Sequence, residues 1–265
     1  MLKPEDNDYL SRVGPGAPMG ALFRRFWIPA LLPSEIPTPD CDPVRVRLLG
    51  EDLVAFRDTE GRIGVLEERC PHRRASLFYG LNAGCGLRCV YHGWKFDVDG
   101  VCTEMPNEPP ETDFKEKVRI TSYPAEEWGG YIWIYMGPPD HKPPLPKFEW
   151  ATLPPEHRWQ KKWLVNANYM QGLEGELDTR HTTFLHRVAD TSTLSPGLAQ
   201  AHGAWQMDGM PRMDIRDTEF GYFYGSQRKS GGDAFNWRIT QWVLPSNSII
   251  PQPKFPISSR AYIPV

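Results

Sequence analysis

Two short runs constrain this chain more than anything else in it: Cys70-Pro71-His72 and, after sixteen intervening residues, Cys89-Val90-Tyr91-His92. Each limb carries one thiol and one imidazole in a turn between strand-like stretches. Five cysteines is an odd number, which argues against a disulfide framework. In a reducing compartment, cysteines spaced with histidines are more often metal ligands than bridges. The other three cysteines, Cys41, Cys85 and Cys102, read as small buried or half-buried residues. The 27 prolines and 10 tryptophans suit short strands joined by long irregular connections better than a helical bundle. A net charge of −3 and 40% hydrophobic residues are an ordinary globular balance, with no sign of nucleic acid or an anionic membrane as partner. No apolar run is long enough to span a bilayer. The start, Met1-Leu2-Lys3-Pro4-Glu5-Asp6, lacks an export pattern, so a cytoplasmic location is expected.

The hydrophobic period places these runs in an α+β chain. From Val44 it is two: Val44, Val46 and Leu48 alternate with arginines, Gly50-Glu51-Asp52 turns, and residues 53–56 run back. Residues 131–136 read as a buried strand. The expected organisation is an N-terminal helix and irregular arm over 1–43, a small antiparallel β domain over 44–140 and a second domain over 141–265. The proline-rich stretch around Pro143 and Pro144 is the connector. In the second domain, residues 163–187 read as mainly helical, followed by strands at 220–227, 237–244, 248–250 and 260–265. Gly14-Pro15-Gly16 stops the first helix; it follows no strand and lacks the G-x-G-x-x-G spacing of a dinucleotide site.

Four ligands of mixed type suit two iron atoms bridged by two sulfides, with both cysteines on one iron and both histidines on the other. Neutral imidazoles raise the potential of such a centre above that of an all-thiolate cluster. The competing reading is a structural zinc site with two cysteines and two histidines. Zinc sites usually pair like ligands on each limb, whereas here each limb mixes them, which favours the cluster.

The segments from Cys70 to Leu77 and from Cys89 to Phe96 resemble the cluster loops of the aromatic-ring-hydroxylating, or Rieske non-haem iron, oxygenases, and most of all the phthalate dioxygenase and phenoxybenzoate dioxygenase group. That resemblance implies a Rieske [2Fe–2S] domain plus a catalytic domain of helix-grip type, and it draws attention to a second stretch. Asp178 and His181 stand three apart, His186 lies five beyond His181, and Glu174 is four before Asp178. On a regular helix the two imidazoles would be about 140° apart, so they can share a metal only if the helix loosens or ends between them. By the resemblance, His181 and His186 are ligands of a mononuclear Fe(II). Asp178 stands behind His181 and bridges to the cluster histidine His92 of a neighbouring subunit, and Glu174 either supports the iron or is a solvated helix residue. The resemblance further implies a separate NAD(P)H-dependent reductase with flavin or iron–sulfur groups, O2, a small aromatic substrate and a homotrimer. Members of the group often take aromatic carboxylates, and Arg212, Arg228 and Arg238 lie in the right half of the chain, each reading more simply as strand-surface charge. The family's third iron ligand is a downstream aspartate. No acidic residue follows Asp233, so a chain shortened at its C-terminus, with an incomplete iron site, is expected. The alternative is a Rieske-type electron-transfer protein without oxygenase activity. His141, His157 and His202 read as connector or surface residues.

Overall fold

The computed structural model describes residues 2–187, 190–250 and 258–265. Contacts divide the chain into Met1–Asn166 with Ile263–Val265, and Ala167–Tyr262. Mixed helix and antiparallel sheet bear out the α+β expectation.

The first unit begins with two short helices, α1 (Pro4–Ser11) and α2 (Pro18–Phe23), each opened by a proline that needs no N–H partner in the first turn. Ten strands follow: β1 (Trp27–Leu31), β2 (Val44–Leu48), β3 (Glu51–Arg57), β4 (Ile63–Glu67), β5 (Leu81–Asn82), β6 (Leu87–Arg88), β7 (Lys95–Phe96), β8 (Cys102–Glu104), β9 (Ala125–Trp128) and β10 (Tyr131–Tyr135). They form three antiparallel sheets in the orders β1-β10-β9, β2-β3-β4 and β5-β6-β7-β8. The alternation read from Val44 onward puts Val54, Phe56 and Leu66 into one core with Leu77, Leu87 and Phe96. Each such side chain contributes roughly 1.5–3 kcal/mol by leaving water. Cys70 and Cys89 belong to this same core, so two of the candidate ligands are anchored in its packing.

One sequence expectation needs correction here. The arm over 1–43 contains a strand, β1, which pairs with β10 from Trp27↔Tyr135 to Leu31↔Ile132. By contacts the proline-rich connector and the residues up to Asn166 group with the first unit, because the connector packs on its aromatic side chains. Trp27 Nε1 donates to Pro143 O at 2.8 Å, while Phe148 stacks on both Trp133 and Trp150. Aromatic burial on this scale outweighs the stiffness of a Pro-Pro spacer.

The second unit holds α3 (Tyr169–Leu177), α4 (Pro196–Met207) and a five-stranded antiparallel meander: β11 (Arg212–Thr218), β12 (Gly221–Lys229), β13 (Phe235–Val243), β14 (Asn247–Ile250) and β15 (Ser258–Ala261). Alternation along β12 turns Tyr224, Ser226 and Arg228 toward α3 and the turn after it. Phe223 and Gly225 face the other way, beside Trp237 and Ile239. The helix expected over 163–187 is only α3. Asn168 caps it, its side chain accepting from Gln171 N, and Asp178 ends it by adopting an extended backbone. Before Asn168 the exposed Trp163, Leu164 and Val165 offer no apolar stripe to a partner, and residues 161–165 are irregular. Neither α4 nor β11 is among the elements expected from the hydrophobic pattern.

Candidate metal centres

The two limbs of the first site are built as a matched pair of turns. Cys70 N donates to Ala75 O at 2.9 Å and Cys89 N to Trp94 O at 2.8 Å. The peptide four residues past each cysteine returns to its carbonyl, Arg74 N to Cys70 O at 2.9 Å and Gly93 N to Cys89 O at 3.0 Å. Both turns close through a left-handed residue, Arg74 at φ 60° and Gly93 at φ 76°. A side chain at Gly93 would meet Pro106 Cγ at 2.7 Å, so glycine is required there for space as well as backbone. The cysteines are 1% and 3% exposed, whereas His72 and His92 are half-buried, with Tyr91 exposed beside them.

The donor atoms fit a two-metal centre better than a single ion. The two thiols lie within hydrogen-bonding contact, and the two imidazole rings are 4.5 Å apart between centroids. Around one tetrahedral zinc all four ligand atoms would crowd within about 3.3–3.8 Å of one another. No three of these four bring ligand atoms within 4.8 Å of one another among the described residues. The site is a thiol pair and an imidazole pair held apart. Nδ1 of His72 is buried and hydrogen-bonds to no described residue, which leaves its lone pair to a metal. His72 is stacked on Trp94 at 4.5 Å and 7°, and Trp94 Nε1 donates to Asn107 Oδ1 at 2.7 Å. Burial lowers the His72 pKa, as do His92 and Arg73, which keeps the ring neutral and able to ligate. Burial also pushes the Cys70 thiol up to about 11, and the Cys89 thiol adds to it against opposing N–H donors from His72 and Arg73. Deprotonating Cys70 at neutral pH requires bound cations, which a cluster would supply.

The second site is made by one turn. Asp178 closes α3 and its carboxylate accepts from Arg180 N at 2.9 Å and His181 N at 3.0 Å. The same carboxylate meets His181 Nδ1 at 3.2 Å, and the opposite ring nitrogen, Nε2, faces His186 Nε2 at 3.2 Å. Two cis ligands at about 2.1 Å from one metal stand about 3 Å apart, so this spacing suits a shared ion. The pair becomes possible because α3 ends at Leu177 and residues 181–183 form a tighter 3-10 turn, not because Asp178 and His181 share a helix face. Burial would raise Asp178, but the two backbone N–H groups and the His181 ring more than offset it and hold the carboxylate below its usual range. The His186 pKa is lowered by burial, then by His181, Arg238 and His202, against Glu176. No carboxylate joins His181 and His186 as a third convergent donor among the described residues.

Residues 26–124 match the Rieske [2Fe-2S] domain, and residues 134–264 match the family described as LigXa C-terminal domain like. The chain belongs to the Rieske oxygenase family. It is 44% identical over 259 residues to the phthalate 4,5-dioxygenase oxygenase subunit of Pseudomonas putida, covering 95% of this chain and 58% of that protein. It is 39% identical to the 3-chlorobenzoate-3,4-dioxygenase oxygenase subunit of Comamonas testosteroni, covering 100% and 61%. It thus spans about three fifths of the length of these relatives. The fold resembles that of dicamba monooxygenase bound to dicamba at a TM-score of 0.68 and 22% identity, over 92% of this chain and 74% of that one.

Other residues of this Rieske oxygenase chain were less legible. Glu174 is exposed on α3; its neighbour Glu176 is the acid that α3 uses, accepting from Arg260 and from Tyr262 Oη at 3.0 Å. His202, expected at the surface, is buried on α4 and close enough to His186 to lower its pKa. Arg212 is exposed, Arg238 is half-buried, and Arg228 is buried rather than on the strand surface. No helix among the described residues is long and apolar enough to cross a membrane.

Proposed function

We propose that this chain is the oxygenase component of a multicomponent Rieske oxygenase acting on a small aromatic substrate, with an aromatic carboxylate the best-supported class. The observation that carries the reading is the coexistence in one chain of the twin-turn Cys/His site and a His181–His186 pair backed by Asp178. An electron carrier alone has no use for the second. Cys70, Cys89, His72 and His92 would hold the [2Fe–2S] cluster, and His181 and His186 two positions on a mononuclear Fe(II). When bound, these groups supply one-electron transfer and O2 activation respectively.

The chain's own residues do the rest. His72 and His92 lie at the half-buried mouth of the core, where an electron can enter or leave. Asp178 fixes the His181 ring by accepting at Nδ1, which leaves Nε2 as the ligating atom. Its carboxylate is exposed, so it can also accept a hydrogen bond from His92 of another copy, which favours a head-to-tail trimer. A separate NAD(P)H-dependent reductase with flavin or iron–sulfur groups would supply the electrons, and the cytoplasm is the compartment that suits the unpaired cysteines. Some proteins of this fold are seen as oxygenase–ferredoxin complexes, which supports a separate donor.

The test is metal and sulfide analysis of anaerobically purified chain beside its His181→Ala and His186→Ala variants. The reading predicts that each variant loses one iron per chain and keeps all its sulfide. Equal iron in all three proteins would overturn it.

A further inference from the structure

We propose that Arg228 is the positioning residue of the His181–His186 pair, holding the turn that carries them against the sheet. The proposal rests on reading that pair as an iron site, and its geometry lies entirely within the second unit. Arg228 is 1% exposed, one of the largest fully buried side chains of the protein. Its five N–H donors make five bonds. Nε donates to Asp208 O at 3.1 Å; one terminal nitrogen donates to Thr179 Oγ1 at 3.1 Å and Ser226 Oγ at 3.4 Å; the other donates to Thr179 O at 2.6 Å and Thr182 Oγ1 at 3.4 Å. These partners are two backbone carbonyls and three hydroxyls, not a carboxylate. A buried cation satisfied in this way is costly to keep, and it persists where its geometry is used.

The grip is on the residues between Asp178 and His186. Thr179 follows the carboxylate that orients the His181 ring, and Thr182 follows His181 itself. Thr182 Oγ1 also donates to Thr179 O at 2.7 Å, so the guanidinium binds an already closed turn from beneath. Through Asp208, just beyond α4, the same side chain reaches the segment whose His202 lies near His186. One planar fork therefore references both neighbours of the pair to β12. A lysine, with three donors on a flexible stem, cannot reproduce five fixed directions. With every donor spent on the protein, Arg228 has none left for a substrate carboxylate.

Arg228→Met and Arg228→Lys in the full chain test this by two readouts: Fe2+ binding beyond the cluster iron, and backbone hydrogen exchange peptide by peptide. Arg228→Met is expected to weaken Fe2+ binding at least tenfold. It should speed exchange over residues 178–187 by a similar factor, with β11–β13 peptides and the cluster absorption unchanged. Arg228→Lys should fall between it and the parent. Should the methionine variant not fold, the lysine variant decides alone: parent-like affinity and exchange would overturn the proposal. Exchange that rises evenly across the second unit would also overturn it, because the role would then be general stability. Should the parent chain bind no Fe2+ beyond its cluster, the reading of the histidine pair fails, and exchange over 178–187 still judges Arg228.

Discussion

The two proposed metal sites reach similar ends by different constructions. The cluster site is fixed by backbone: two matched turns, each closed by reciprocal peptide hydrogen bonds and a left-handed residue, seated on a core from Val54 to Ile120. The histidine pair is fixed by side chains: Asp178 behind His181, Arg228 beneath Thr179 and Thr182, on a single turn whose rings stay partly open to solvent. Backbone sites tolerate changes in polar neighbours and fail when a φ angle is blocked. Side-chain sites do the reverse.

The largest effect expected from that contrast is at Gly93. Gly93→Val puts a β-branched residue at φ 76° and a carbon 2.7 Å from Pro106, so it should cost about 2–4 kcal/mol and abolish sulfide retention. Arg74, at the matching position of the other turn, carries the same left-handed angle without glycine. Arg74→Gly should therefore be tolerated, with unchanged sulfide and a shift in stability below about 1 kcal/mol. Thermal melts with sulfide analysis check both, and a stable, cluster-loaded Gly93→Val protein would break the comparison.

Next in size is Asp178→Ala. It removes the helix-ending turn and the partner of His181 Nδ1, so Fe2+ affinity at the pair should fall about 10–100-fold while the cluster stays intact. Smaller again is Trp94→Phe, which keeps an aromatic ring against His72 but strands Asn107. We expect about 1 kcal/mol lost and a cluster still present, read by melts and visible absorption. The smallest effect concerns pH. The His186 pKa is lowered, so protons compete with metal only below the ordinary histidine range near about 6.5. An NMR titration of the metal-free chain should show the His186 ring still neutral at about that value and gaining its proton only below it. Protonation of His186 at or above that value would show that it is not held neutral.

The same contrast explains what could be read in advance. The proposed cluster ligands come in two short runs whose turns are local, so spacing alone suggested the chemistry, and the period of two from Val44 located the core beneath them. The histidine pair was visible only through the family resemblance, because Asp178 ends a helix that continuous periodicity would have carried through His181. Arg228 read as surface charge because its partners at Thr179 and Thr182 are nearly fifty residues away. His202 and Glu176 were missed for the same reason, since their roles depend on which helix meets which strand. Strand β1 was missed because Trp27-Ile28-Pro29 contains a proline, which argues against a strand unless it lies at a sheet edge, as β1 does.

The proposed Rieske centre is one iron pair held by two thiolates and two imidazoles from the twin turns. Pulsed EPR of the reduced, anaerobically purified chain tests it most directly by counting nitrogen ligands on the cluster. We predict couplings from two imidazole nitrogens, with one lost in a His72→Cys variant that keeps its sulfide. A parent spectrum without directly bound nitrogen, or protein holding zinc and no sulfide, would contradict the account.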